Sequence, residues 1–186
     1  TDLFKHLATT QHPGTLFITC SDSRVVPELL TQQEPGELFV IRNAGNIVPS
    51  YSPHPGGVSA TVEYAVAALK VAHVIVIGHS NCGGVKGCAD MCSGNAPELL
   101  EKSSFVGRWM DILRPGYERL AHLPEPERAR ALEKEAVLVS LENLMTFPFV
   151  RAAVEDDRLT LHGLWTDTGE GGLEQFDPTR TGFVPV

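Results

Sequence analysis

Apolar residues along this chain fall into two rhythms. Short unbroken runs, Thr15-Leu16-Phe17-Ile18-Thr19 and Val74-Ile75-Val76-Ile77-Gly78, have the length and β-branched content of strands buried on both faces. The same reading places strands at residues 15–20, 37–43, 73–79 and 159–166, the last from the alternation in Leu159-Thr160-Leu161-His162-Gly163-Leu164-Trp165. Between the strands the period lengthens. Residues 57–71 are rich in Ala and Val, with no Pro and no Gly after the first, and predict a buried helix. Residues 97–115 predict helical pieces interrupted at Gly107 and closed at Pro115-Gly116. Pro124-Glu125-Pro126-Glu127 opens a long helix, because proline suits a first turn and acidic residues there complement the helix dipole. Its apolar positions are Ala131, Leu132, Ala136, Val139, Leu141 and Leu144. A short helix follows near 149–154, then a turn at 169–172 and a tail of hairpin character from 176 onward.

Strands alternating with helices predict an α/β fold: a mostly parallel central sheet of four to five strands flanked by helices, with an antiparallel edge strand near the C-terminus. No repeat, low-complexity stretch or linker divides the chain, so residues 1–186 read as one domain. Charge narrows the partners. With 23 acidic against 15 basic residues the net charge is −8, and no basic stripe offers a surface to nucleic acid. No apolar run has the length of a bilayer span and no secretory signal is visible, so neither a membrane nor export is expected, and the cytoplasm is the expected compartment.

Chemistry concentrates at two strand ends. Cys20-Ser21-Asp22-Ser23-Arg24 follows the first run and His79-Ser80-Asn81-Cys82 follows the second. Thiolate, imidazole and carboxylate are the donors zinc takes in tetrahedral sites. If the two strands are parallel neighbours, both pairs reach one carboxyl edge, where open α/β sheets build their sites. Along an extended chain Cys20, Asp22 and Arg24 point the same way, which sets Arg24 to pair with the Asp22 carboxylate. His79 and Cys82, three apart before Gly83-Gly84, suit the opening turn of a helix, whose N-terminus favours a thiolate. Asp22 has two options: to close the metal's fourth position, or to turn to Arg24 and leave that position to water. The remaining cysteines, Cys88 and Cys92, fall on one helix face. Helix packing explains them, and a redox pair or a second metal site is the rival.

These motifs carry a family resemblance. Cys-Ser-Asp-Ser-Arg, then Gly-His-Ser-Asn-Cys-Gly-Gly, resemble those of the β-class carbonic anhydrases. So do the intervening Glu34-Pro35-Gly36-Glu37-Leu38-Phe39-Val40-Ile41-Arg42-Asn43-Ala44-Gly45-Asn46 and the helix beginning Gly56-Gly57-Val58-Ser59-Ala60. The match is dense from about Gln11 to Gly87 and is most similar to the plant-like bacterial branch, which includes cyanate-associated enzymes. The resemblance implies reversible hydration of CO2 to bicarbonate by a zinc-bound hydroxide, with one Zn2+ per chain on Cys20, His79 and Cys82. It implies catalytic roles for Asp22 and Arg24, with Asp22 a fourth ligand in a closed state. Phe17 stands where the closed, bicarbonate-regulated subgroup has Trp, which favours the open form. The substrate pocket carries over to Gln11, Phe39, Ala44, Tyr64 and Gly83. Homodimers, tetramers or octamers are implied, as is further helix before the first residue. On chemical grounds His54 and His73 are the proton-shuttle candidates. The rival functions are a closed structural zinc site in a binding module, and hydrolysis of carbonyl sulfide or carbon disulfide on the same fold.

Overall fold

A computed structural model describes residues 2–186. Four parallel strands form its centre: β1 (Thr15–Cys20), β2 (Leu38–Asn43), β3 (His73–His79) and β4 (Thr160–Thr166). Each sits within a residue of its predicted place, because unbroken apolar runs have no other way to hide both faces. Two antiparallel strands, β5 (Leu173–Asp177) and β6 (Gly182–Pro185), extend the sheet beyond β4. The sheet therefore has six strands in the order β2-β1-β3-β4-β5-β6, not four to five. The charged sequence Leu173-Glu174-Gln175-Phe176-Asp177 lacks an apolar run. It is held as a strand by pairing with β4, after a turn in which Asp167 Oδ1 accepts from the amides of Gly169 and Glu170.

Helices cover the sheet: α1 (Asp2–Leu7), α2 (Pro27–Thr31), α3 (Gly57–Glu63), α4 (Gly83–Ser93), α5 (Phe105–Met110), α6 (Arg114–Arg119), α7 (Glu125–Leu144) and α8 (Pro148–Glu155). Helix α3 continues as one π-helical turn over Tyr64–Ala68. Pro115-Gly116 does not stop a helix as the sequence predicts. Pro115 lies in the first turn of α6, where its missing N–H costs nothing. A Cβ on Gly116 would stand 2.9 Å from Val139, so this glycine allows α6 to lie against α7.

Two apolar clusters result. One packs Leu16, Ile18, Val74 and Val76 of the sheet against Val62, Val137, Leu144 and Val150 of the helices. The other gathers Val85, Met110, Leu113, Leu132 and Ala136 around the sulfurs of Cys20 and Cys82. From β1 the chain crosses to β2 on one side and reaches β3 on the other. That reversal opens a crevice at the carboxyl ends of β1 and β3, the place where such sheets bind ligands.

Candidate metal centre

Cys20 is the last residue of β1, and the chain then leaves the sheet at once. The extended path expected through Arg24 is not followed. Asp22 O accepts from Val25 N at 3.1 Å, and Asp22 Oδ1 accepts from Arg24 N at 3.0 Å, so a tight turn replaces it. Asp22 and Arg24 nonetheless meet, through the turn and not through alternation. The second motif also departs from expectation. His79 ends β3, Asn81 takes a left-handed φ of 53°, and Cys82 is the extended N-cap residue of α4. A backbone reversal at Asn81, not a helical turn, brings the two ligands together.

The three donors converge. Cys20 Sγ and Cys82 Sγ are 3.8 Å apart, and all three ligand atoms of Cys20, His79 and Cys82 lie within 4.8 Å of one another. A tetrahedral zinc with Zn–S bonds of about 2.3 Å separates two sulfurs by about 3.8 Å. His79 Nδ1 donates to Ser80 O at 2.9 Å, which fixes the tautomer and turns Nε2 to the sulfurs. That Nε2 is buried and has no hydrogen-bond partner among the described residues, as befits a ring nitrogen whose lone pair is turned to a metal. The site fits zinc.

Charge at the centre is prepared by the groups around it. The Cys82 thiol, then the imidazole of His79 and the amide of Gly45, draw the Cys20 thiol down to about 4 despite its burial. Cys82, giving its proton toward Cys20, is pushed up, while the amides of Val85 and Gly84 at the start of α4 act in the opposite direction. Burial opposes a charge on His79, but the Cys20 sulfur and the Ser80 carbonyl outweigh it and raise the imidazole.

Asp22 stands beside this triad and outside it. Its Oδ2 is 3.9 Å from His79 Nε2. Arg24 grips the carboxylate through Nε and Nη2, and Nη2 also donates to Asn81 O at 3.1 Å. The Arg24 hydrogen bond holds the Asp22 carboxyl well below the usual carboxylate range.

Six residues that the sequence does not mark as members of the site support it: Arg42, Asn43, Gly45, Trp109, Glu133 and Ser140. Arg42 donates to Cys20 O at 3.1 Å and Asp22 O at 2.8 Å, fixing the turn from the adjacent strand. Gly45 N donates to Cys20 Sγ at 3.4 Å. Its loop is held by the Asn43 side chain, bonded to both polar groups of Ile47, and by Ser140 of α7, which donates to Asn46 O. Trp109 Nε1 donates to Ala44 O at 2.8 Å. Glu133, only 8% exposed, accepts from Asn81 N at 2.7 Å. A helical projection would have flagged Glu133, which shares its stripe with Ala136, Val137 and Ser140.

The predicted pocket residues are not all brought to the donors within one chain. Phe39 and Tyr64 face each other with ring centroids 5.8 Å apart. Phe39 is in register with Leu16, four residues before Cys20, which is about 13 Å of strand. Gln11 is exposed in the segment before β1, and Ala44 is exposed at the end of β2. Gly83 opens α4 beside Cys82. Of the shuttle candidates, His54 lies in an exposed loop, and His73 begins the strand that His79 ends, at the far edge of the sheet from the donors. Cys88 and Cys92 do share one face of α4, sulfurs 3.9 Å apart, with Cys88 fully buried. Burial pushes the Cys88 thiol above its usual range, which suits packing better than redox chemistry.

The chain that carries these three convergent donors is similar along its length to known proteins. Residues 15–173 match the family model described as carbonic anhydrase. Carbonic anhydrase 1 of Escherichia coli O157:H7 is 52% identical over 185 residues, covering 99% of this chain and 83% of the relative. The carbonic anhydrase of Pseudomonas aeruginosa is 49% identical over 187 residues, covering 99% and 82%. Among solved structures, the β-carbonic anhydrase CcaA superposes with a TM-score of 0.89 at 40% identity, over all of this chain and 82% of that one. A tetrameric β-carbonic anhydrase of Sordaria macrospora gives 0.75 at 33% identity, over 92% and 84%. The chain belongs to the carbonic anhydrase family, in its β class. Its reaction is the zinc-dependent, reversible hydration of CO2 to bicarbonate.

Proposed function

We propose that this chain hydrates CO2 through an open site. Cys20, His79 and Cys82 hold the metal, and Arg24 keeps Asp22 from becoming a fourth ligand. The observation that carries this reading is the clamp of Arg24 on both oxygens of Asp22. Zinc, when bound, supplies the Lewis acidity that makes water a nucleophile near neutral pH. Asp22 Oδ2 then faces the reacting water from beside His79 and accepts its hydrogen, orienting a lone pair toward the carbon of CO2. Arg24 keeps that carboxylate charged and aimed. His79, fixed through Ser80 O, keeps a constant orientation as the reaction turns over. A permanently structural site would have no use for a cation that draws the spare carboxylate aside.

Phe39 and Tyr64 form an apolar surface suited to uncharged CO2, with Gln11 and Gly83 offering N–H donors to a substrate oxygen. Within one chain Phe39 and Tyr64 lie too far along the sheet to wall the site. We assign them to the site of a second copy, in a homodimer or larger homo-oligomer. The 77% exposure of Leu29 and the 41% exposures of Val26 and Leu30, on and before α2 next to Arg24, support such an assembly. The free thiols of Cys20, Cys82, Cys88 and Cys92 support a reducing compartment such as the cytoplasm. The deciding test is Asp22→Asn in the zinc-loaded protein, followed by stopped-flow CO2 hydration. Retained zinc with most of the rate lost is expected. A full rate would show that Asp22 is a bystander.

A further inference from the structure

A second pair of metal-ligating side chains meets elsewhere on the sheet. His73 opens β3 and His79 closes it, so His73 lies about 20 Å of strand from the zinc donors. On β4, His162 is in register with Ile75, which puts it one pleat diagonally from His73 on the same face. The two rings touch: His73 Nδ1 is 3.2 Å from His162 Nε2, with ring centroids 5.2 Å apart. They sit at a surface pocket of about 400 Å3 in which Ile75, Leu164, Leu173 and Val186 are the apolar lining and Thr15 and Gln175 the other polar side chains. His73 is exposed and His162 partly so, so core packing does not account for their approach.

The separation of the two nitrogens is informative. Metal–imidazole bonds of about 2.0–2.1 Å place two nitrogens about 2.9 Å apart at a right angle and about 3.4 Å apart at a tetrahedral angle. The observed 3.2 Å lies between these limits. Burial, and then the charge of His73, disfavour protonation of His162, so the unprotonated ring required of a ligand is the favoured one. Among the described residues no thiol and no acidic side chain lines the pocket, so neither a soft ion nor a hard one is favoured.

We propose that His73 and His162 form a second metal site, which takes a borderline divalent ion of the nickel or copper type independently of the catalytic zinc. In the metal-free pair one imidazole donates its hydrogen to the other. On binding, that hydrogen moves to the outer nitrogen of its own ring. Both facing lone pairs then serve the metal, and water fills the remaining positions.

The test is calorimetric titration of zinc-loaded protein with Ni2+, beside His73→Asn and His162→Gln. One further equivalent of Ni2+ per chain is expected, weakened about tenfold or more in either variant. Cu2+ should bind more tightly than Ni2+. Zinc content should match the parent in both variants and CO2 hydration should match it in His162→Gln, which separates loss of this site from loss of the fold or of the catalytic reading. Exposed His73 tolerates substitution, so His73→Asn decides the matter if His162→Gln fails to fold. Equal Ni2+ uptake by parent and variants, or no uptake beyond zinc, would overturn the proposal.

Discussion

Arg24 fixes both carboxylate oxygens of Asp22, with Nε and Nη2 donating at 2.9 and 2.7 Å and its own backbone amide adding a third bond at 3.0 Å. A bidentate pair of this kind has direction as well as strength. Asp22 can turn to the metal only if the guanidinium lets go, while the remaining lone pair of Oδ2 stays open to a hydrogen from water.

Removing the guanidinium should therefore close the site. Arg24→Ala is expected to keep zinc and lose about tenfold or more of the hydration rate at pH 7. Stopped-flow assays against metal content will check this, and an unchanged rate would discard the clamp.

The clamp also sets a pH dependence. Asp22 is held below the usual carboxylate range in the folded protein, so its ion pair contributes stability above about pH 4 and loses it as pH falls further. Between pH 6.5 and 9 Asp22 stays charged. The rate profile over that window should rise through a single ionisation, and a second step that disappears in Asp22→Asn would contradict this.

Glu133 acts one shell further out, by holding the Asn81 amide between the two ligands of α4 and β3. Glu133→Ala leaves that N–H without its acceptor, at about 1–3 kcal/mol. It should also weaken zinc about 10–100-fold in chelator competition. Glu133→Gln keeps an acceptor oxygen. Burial raises the Glu133 carboxyl, and such a group contributes its stability at low pH and loses it as pH rises. Glu133→Gln should therefore melt no lower than the parent at pH 8, whereas Glu133→Ala should melt lower.

The two glycines after Cys82 should behave differently. A Cβ on Gly84 would stand 3.1 Å from Gly45 N and 3.3 Å from Gly45 Cα, pressing on the amide that serves Cys20. Gly84→Ala is expected to cost about 1–3 kcal/mol and to weaken zinc. A Cβ on Gly83 would meet nothing within 4 Å, so Gly83→Ala should change stability by less than about 0.5 kcal/mol. Denaturant melts of both variants decide it.

Zinc itself should register in stability. Stripping it leaves His79 Nε2 buried without a partner. At about a hundredfold excess over Kd, a ligand of the folded state contributes about 2.7 kcal/mol, worth roughly 5–10 °C in a chain of this size. Thermal melts with chelator, then with zinc restored, measure the difference.

What the sequence made legible follows from the forces involved. Buried parallel strands must be apolar throughout, so β1 and β3 announce themselves, and with them the ligands at their ends. The C-terminal hairpin and its antiparallel edge are legible from residue 176 onward, but the start of β5 at Leu173 owes its form to pairing with β4, which no local pattern records. The turn at Asp22 and the reversal at Asn81 are set by a few hydrogen bonds and one left-handed residue, so reading the motifs as regular elements found the right partners by the wrong path. Arg42 and Trp109 bind backbone carbonyls, and carbonyls carry no sequence signature. Glu133 was hidden differently: an acidic residue in a charged helix resembles a solvent-facing one until its stripe is drawn.

Cys20 and Cys82 are 62 positions apart in the chain and 3.8 Å apart in space. The donors on β1 and β3 come within reach of each other only after the β2 excursion and helix α3 have been laid down and the two strands zipped side by side. A chain that pairs β1 wrongly keeps every ligand residue and yet holds no cage. The metal occupancy of a fresh preparation is thus a head-count of molecules that have completed this crossover, obtained before any substrate is added.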